Sequence, residues 1–377
     1  MLRGYKYRIY PNESQATLIA RTIGCSRFVY NHMLSESLLA HENGASFVGR
    51  NAFNYRLTAL KKEFPFLAEV DATALTAAND DLADAFARFF KKQNRFPHFR
   101  KKKNFGSYTS KCVGKNIRLK KGCIRIPKLG SVKAVIHRVP EGSSSIKSVT
   151  VSQGSDGTYY ASVLIETINP AVKSASVYSE NAVGLDYKSD GLYADSEGNT
   201  QGCHKFYRES EVRLAKQQRR LSRKSGARKG ETPSNNYRKQ QRKVAKLHRH
   251  IANQRLDHLH KLSTEIANRY DIVCVESLNM RSMANKGFGN GKATLDNGYG
   301  LFLDLLEYKL SERGKHLVKV DKWYPSSQIC SRCGQQRKMP LSVRTYRCSC
   351  GLVMNRDTNA AINIKNEGLR VLREGTA

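Results

Sequence analysis

Acidic residues are scarce in this 377-residue chain: 32 Asp and Glu stand against 65 Lys and Arg, a formal net charge of +33. A surface that basic repels itself, so its natural partner is a polyanion. No run of about 18 apolar residues exists, which excludes an ordinary membrane-spanning helix. The start, "MLRGYKYRIYPNE", lacks the apolar core of a signal peptide. The expectation is therefore a soluble, cytoplasmic chain with no membrane partner. Five of the nine cysteines (Cys25, Cys112, Cys123, Cys203, Cys274) are scattered and read as small packed residues. In a reducing compartment the four that cluster are metal ligands rather than disulfides. The length suits two to four domains, and no fixed-period repeat is present.

What is there falls into blocks. "YKYRIYP" alternates, with Tyr5, Tyr7 and Ile9 on one face and Lys6 and Arg8 on the other, and predicts a strand stopped by Pro11. From Asn12 to about Phe90 apolar residues recur at three-and-four spacing, which predicts helices, with Asp71 as an N-cap. Residues 91–103, "KKQNRFPHFRKKK", hold seven Lys or Arg and no acid. Lys91, Lys92, Arg95, Arg100, Lys101, Lys102 and Lys103 are candidate phosphate contacts, and Phe96 and Phe99 between them could stack on bases. A merely solvated charge run is the plainer reading. From about Ser107 to Ile168 short alternating segments separated by turns predict strands. With the first strand they could close a small antiparallel barrel, making the helical block an insertion. Beyond residue 180 the order is strand, hairpin at Glu197–Gly198–Asn199, two basic helices, buried strand, helix and strand, which argues for an α/β domain. The helix pair, residues 205–255, carries 17 Lys or Arg against three Glu.

Two constellations carry chemistry. Cys330-x-x-Cys333 and Cys348-x-Cys350 are separated by fourteen residues, and Gly334 and Gly351 follow the pairs. Two such knuckles can place four thiolates tetrahedrally on Zn²⁺ at about 2.3 Å, and a site with four protein ligands is structural rather than catalytic. Asp186 ends the strand "AVGLD" and Glu276 ends "IVCVE", and α/β sheets build their sites beyond the carboxyl ends of strands. Asp357, seven residues after Cys350, reads either as the N-cap of the last helix or as a third carboxylate for that site. Three clustered acids repel one another unless divalent cations neutralise them. Carboxylates with about two Mg²⁺ are what in-line phosphodiester hydrolysis requires.

The stretches "YKYRIYPNESQ", "GCSRFVYNHML", "FPHFRKKK", "VGLDYKSDGLYADSEGN", "VCVESLNM", "WYPSSQICSRCG" and "NRDTNAAINI" span nearly the whole chain. In this order and combination they resemble the TnpB family, transposon-encoded RNA-guided DNA endonucleases related to type V CRISPR effectors. The resemblance implies an α+β multidomain protein. A RuvC-like, RNase H-fold nuclease domain would occupy 180–323 and 352–377, interrupted by a zinc ribbon at 324–351. An N-terminal wedge β-barrel would occupy 1–11 and 96–172 and carry a helical recognition insert at 12–95. It also implies a guide RNA from the transposon end, a double-stranded DNA target cut beside a short adjacent motif, and an Asp-Glu-Asp trio falling on Asp186, Glu276 and Asp357 as Mg²⁺ ligands. Tyr187 and Lys188, Ser277 and Asn355 depart from the common family pattern, but no departure removes an acid of the trio. Two rivals remain. A DNA transposase also uses three acids and would act without RNA, and a nuclease-silent, RNA-guided regulator would lack metal-dependent cutting.

Overall fold

The computed structural model describes residues 2–47, 49–101, 106–139, 144–167, 174–224, 233–285, 291–340 and 342–375. It divides into two compact units, Met1–Pro170 and Ala171–Ala377.

In the first unit the alternating stretch is strand β1 (Leu2–Tyr10), which buries Tyr7 and Ile9 and ends at Pro11. Asn12 then caps α1 (Glu13–Glu42) in a reciprocal box with Gln15, satisfying orphan amides at the helix start. Helices α2 (Arg50–Glu63) and α3 (Ala72–Phe90) follow. Asp71 caps α3 as expected, accepting from the Thr73 N–H at 3.0 Å. Val29, Leu34, Phe53, Leu60 and Leu82 form the shared core of these helices. Six strands come next: β2 (Gly106–Lys111), β3 (Arg118–Lys120), β4 (Cys123–Ile126), β5 (Gly130–Val135), β6 (Ser144–Gln153) and β7 (Tyr159–Thr167). With β1 they make one antiparallel sheet in the order β2-β6-β7-β1-β5-β4-β3. β1 lies between β7 and β5, so the helices interrupt a chain that returns to the sheet it left.

The second unit contains β8 (Ala182–Tyr187), β9 (Tyr193–Asp195), β10 (Thr200–Gln201), α4 (Phe206–Ser222), α5 (Asn235–Arg269) and β11 (Ile272–Glu276). Then come α6 (Met280–Met283), α7 (Gly291–Asn297), α8 (Tyr299–Ser311), β12 (His316–Val320), β13 (Thr345–Arg347), β14 (Val353–Asn355) and α9 (Arg356–Glu374). The main sheet runs β10-β9-β8-β11-β12, with β8, β11 and β12 parallel. Residues 225–232, between the two basic helices, lie outside the described residues. α5 extends well past the basic stretch because Leu259, Leu262 and Ile266 carry an apolar stripe onto the sheet.

Both faces of this sheet are covered, which explains the unbroken apolar runs of β8 and β11. Val183, Leu185, Val273 and Val275 pack on one face with residues of α5 and α8. Ala182, Ile272 and Cys274 face the other way, with Ile364 of α9. Two glycines let α9 lie flush against that second face. A methyl group on Gly184 would collide with the Ala361 carbonyl, and one on Gly368 with the Cys274 Sγ. Among the described residues no helix is long and apolar enough to cross a membrane.

Candidate active site

β8 and β11 pair in parallel with Leu185 opposite Val275, so Asp186 and Glu276 are the next residues along adjacent strands. By the two-residue period of a strand each points to the face of Gly184 and Cys274, the face that α9 covers. α9 begins at that end of the sheet and carries Asp357 in its first turn. The cap expected of Asp357 falls instead to Asn355. Its Oδ1 accepts the N–H groups of Asp357 and Thr358 at 2.8 and 3.3 Å. Asn and Asp cap equally well, so Asn355 satisfies the helix start and releases the Asp357 side chain. That carboxylate is largely buried and meets Lys188 Nζ at 3.4 Å.

Burial pushes the Asp186 carboxyl well above its ordinary range, and the charges of Glu276 and Asp357 push it further, against the pull of Arg356 and Lys188. Burial also raises Glu276, partly offset by the Ser326 hydroxyl, which donates to its Oε1 at 2.6 Å. On the opposite face of the sheet Tyr299 packs in the cluster of Leu185 and Val275; it is only 1 % exposed, and its hydroxyl finds no partner among the described residues. Burial and then the charge of Asp186 hold that phenol far from ionisation. Ser326 and Tyr299 escaped the sequence reading. Ser326 lies within a family-like stretch, but nothing in the sequence paired it with Glu276.

The four cysteines converge. Their Sγ atoms all lie within 4.8 Å of one another, the only such cluster of ligand atoms among the described residues. Cys330 and Cys350 are 3.7 Å apart and Cys333 and Cys348 3.6 Å. A zinc tetrahedron with bonds of about 2.3 Å has edges of about 3.8 Å, so this cage could hold a zinc ion. The thiols share their protons unequally: the Cys350 N–H directed at Cys348 pulls that thiol down to about 6, whereas Cys333, against the pull of the Gln335 N–H, is pushed up to about 12 by hydrogen bonding with its neighbouring thiols. Two buried amides of α9 tie the cage to the sheet. Asn359 donates to the Ile329 carbonyl at 2.7 Å and accepts the Ser331 N–H at 3.0 Å. Asn363 donates to the carbonyls of Ser326 and Ile329 at 2.8 and 2.6 Å. The three carboxylates do not draw their ligand atoms into so tight a group as the thiols do.

The expected phosphate contacts divide. Lys91, Lys92, Arg95 and Lys101 are exposed. Arg100 is committed within its own unit: its guanidinium stacks 3.7 Å over Tyr30 and pairs with Asp81 at 2.9 Å. Phe96 packs edge-on against Phe86 and Phe89 rather than waiting for a base, whereas Phe99 is 52 % exposed. Lys102 and Lys103 lie outside the described residues. In the second unit Arg213, Arg220, Lys243, Lys246 and His250 line a basic groove of about 440 Å³ between α4 and α5.

Two outcomes follow from this geometry. A carboxyl whose pKa rises on folding binds more protons folded than unfolded, so stability is lost as pH climbs from the ordinary carboxylate range through the raised value. In magnesium-free buffer at pH 8, Asp186→Asn should therefore melt roughly 2–4 °C above wild type, the gap closing toward pH 4. Thermal scans across that range check it, and a gap independent of pH contradicts it. Purified protein should also carry about one zinc per chain, and Cys333→Ser should lose it and melt lower. Elemental analysis alongside melting decides, and a zinc-free wild type of unchanged stability would refute the assignment.

Similarity to known proteins assigns the chain a family. Residues 299–364 match a family model described as "Cas12f1-like, TNB domain", and 162–287 match one described as "Probable transposase". Residues 1–45 match a "Helix-turn-helix domain", although here they form one strand and one long helix. A "Putative RNA-guided DNA endonuclease" of Streptomyces pristinaespiralis is 36% identical over 97% of this chain and 89% of its own length. "Putative RNA-guided DNA endonuclease InsQ" of Escherichia coli (strain K12) is 31% identical over 99% of this chain and 94% of its own. "TnpB-like protein L79" of Acanthamoeba polyphaga mimivirus is 32% identical over 34% of this chain and 26% of its own. The fold is shared with the protein in a cryo-EM structure of a Cas12f1–sgRNA–target DNA complex, at 14% identity and a TM-score of 0.54. That match covers 97% of this chain and 99% of the other. With two relatives above 30% identity along almost its entire length, the chain belongs to the TnpB family.

Proposed function

We propose that this protein is an RNA-guided, Mg²⁺-dependent DNA endonuclease, with Asp186, Glu276 and Asp357 as its catalytic acids. The observation that carries the reading is their convergence, from two strand ends and a helix start, at one corner of a sheet in a chain so poor in acids. The names of its relatives support the activity. In this reading 180–323 and 352–377 form a RuvC-like nuclease domain and 324–351 its zinc ribbon. Residues 1–11 and 96–172 form the wedge barrel, and 12–95 a helical recognition insert. The partners are a guide RNA from the transposon end and a DNA duplex bearing a short adjacent motif. Guide pairing reads sequence, and the protein supplies charge and shape.

The residues fit Mg²⁺: buried acceptor-only groups that burial and mutual repulsion leave short of positive charge. When bound, the ions would activate a water and stabilise the leaving oxygen of an in-line displacement. Asp186, on which the charges of both other acids act, would be one of the ligands that hold the ions. Ser326 orients the Glu276 carboxylate, and Lys188 steadies Asp357. Lys91, Lys92, Arg95, Lys101 and the groove between α4 and α5 neutralise phosphates of RNA and DNA. Arg100 contributes less, being held by Asp81 and Tyr30.

The deciding variant is Asp357→Asn. Because Asn355 already caps α9, this change leaves the helix start intact. RNA-loaded Asp357→Asn should bind guide-matched DNA as wild type does, yet cut it several orders of magnitude more slowly in Mg²⁺. Near-normal cutting would remove Asp357 from the site, and strand transfer without RNA would favour a transposase.

A further inference from the structure

The loop that leaves β12 passes the candidate site twice. Val320, the last residue of β12, pairs with Glu276 in the sheet register, and its carbonyl accepts the Ser277 N–H at 2.9 Å. Six residues later Ser326 donates to the Glu276 carboxylate. Between these anchors stands Trp323, the chain's single tryptophan, 80 % exposed. The exposure is held in place rather than loose. The Asp321 side chain accepts the Trp323 N–H at 2.7 Å, and the Asp321 carbonyl accepts the Tyr324 N–H at 3.1 Å. Tyr324 packs against the core cluster that contains Ile364, and Ser326 is buried. A turn anchored to Glu276 and its neighbour at both ends thus presents an indole to solvent, with Lys322 Nζ 4.7 Å from its ring centre.

Leaving so large an apolar ring in water forgoes the stabilisation its burial would bring, and an aromatic face beside a cation suits a flat base on a phosphate backbone. Bases inside a duplex already have stacking neighbours, so the ligand is an unpaired one. We infer that Trp323 is a stacking platform for a base of the single DNA strand presented to Asp186, Glu276 and Asp357. The inference rests on the nuclease reading above. Lys322 then turns from the ring to the adjoining phosphate, and stacking fixes how far the strand advances toward the acids. Trp323 is a positioning residue and touches no reacting atom.

Because the chain has one tryptophan, its emission reports this contact alone. RNA-loaded protein, excited where nucleic acid absorbs little, is titrated with a short oligothymidylate and with an abasic strand of the same length and charge. Quenching by the first and not the second is expected, since both offer phosphates and only one offers bases. Equal quenching by both, or by neither, overturns the inference. In cleavage of guide-matched DNA, Trp323→Ala should lose roughly ten-fold, mainly as a raised KM for strand loading, with unchanged melting. Trp323→Phe should recover most of that loss, and a Trp323→Ala enzyme that cuts like wild type refutes the role. If wild type does not cut at all, the nuclease reading fails while the emission arm still decides whether a base stacks here.

Discussion

Three carboxylates held out of water at one corner repel one another, and much of the second unit serves to keep them there. The strands bearing Asp186 and Glu276 are buried on both faces, so neither can shift to relieve the repulsion without breaking the sheet. Asp357 arrives on α9, which seats against β8 and β11 only because Gly184 and Gly368 carry no side chain. Such a concentration of negative charge destabilises the protein, the usual opposition between stability and function.

The cysteine cage extends the same logic. Asn359 and Asn363 face inward from α9 and hold the chain just before and within the first cysteine knuckle. Asn363 also holds the Ser326 carbonyl, and the Ser326 hydroxyl holds Glu276. A continuous set of hydrogen bonds therefore joins a metal-type cluster to two of the three acids. An ion that closed the cage would stiffen the helix start that carries Asp357.

Much of this was legible beforehand. The strand ends at Asp186 and Glu276, the cysteine spacing and the Asp71 cap are local signals, and local signals survive folding. What stayed hidden depends on distance along the chain. Asn355 and Asp357 are chemically interchangeable as caps, and only the geometry of the helix start separates cap from carboxylate. The bond from Ser326 to Glu276 spans 50 residues, and no periodicity encodes it. Phe96 and Arg100 misled in the opposite sense. A run of cations and aromatics looks like a nucleic-acid surface, yet tertiary packing enlisted Phe96 in a core and Arg100 in a pair with Asp81. Helix α5 outran its basic stretch because Leu259, Leu262 and Ile266 continue its apolar stripe beyond the run of charges.

The central claim is that Asp186, Glu276 and Asp357 build one divalent-ion site. Manganese, which favours the same oxygen ligands as magnesium and is paramagnetic, can be titrated into the RNA-loaded protein and followed by electron paramagnetic resonance. The account predicts tight binding to wild type, and loss of that binding in each of Asp186→Ala, Glu276→Ala and Asp357→Ala. Any one of these variants that binds manganese as tightly as wild type would contradict a shared site.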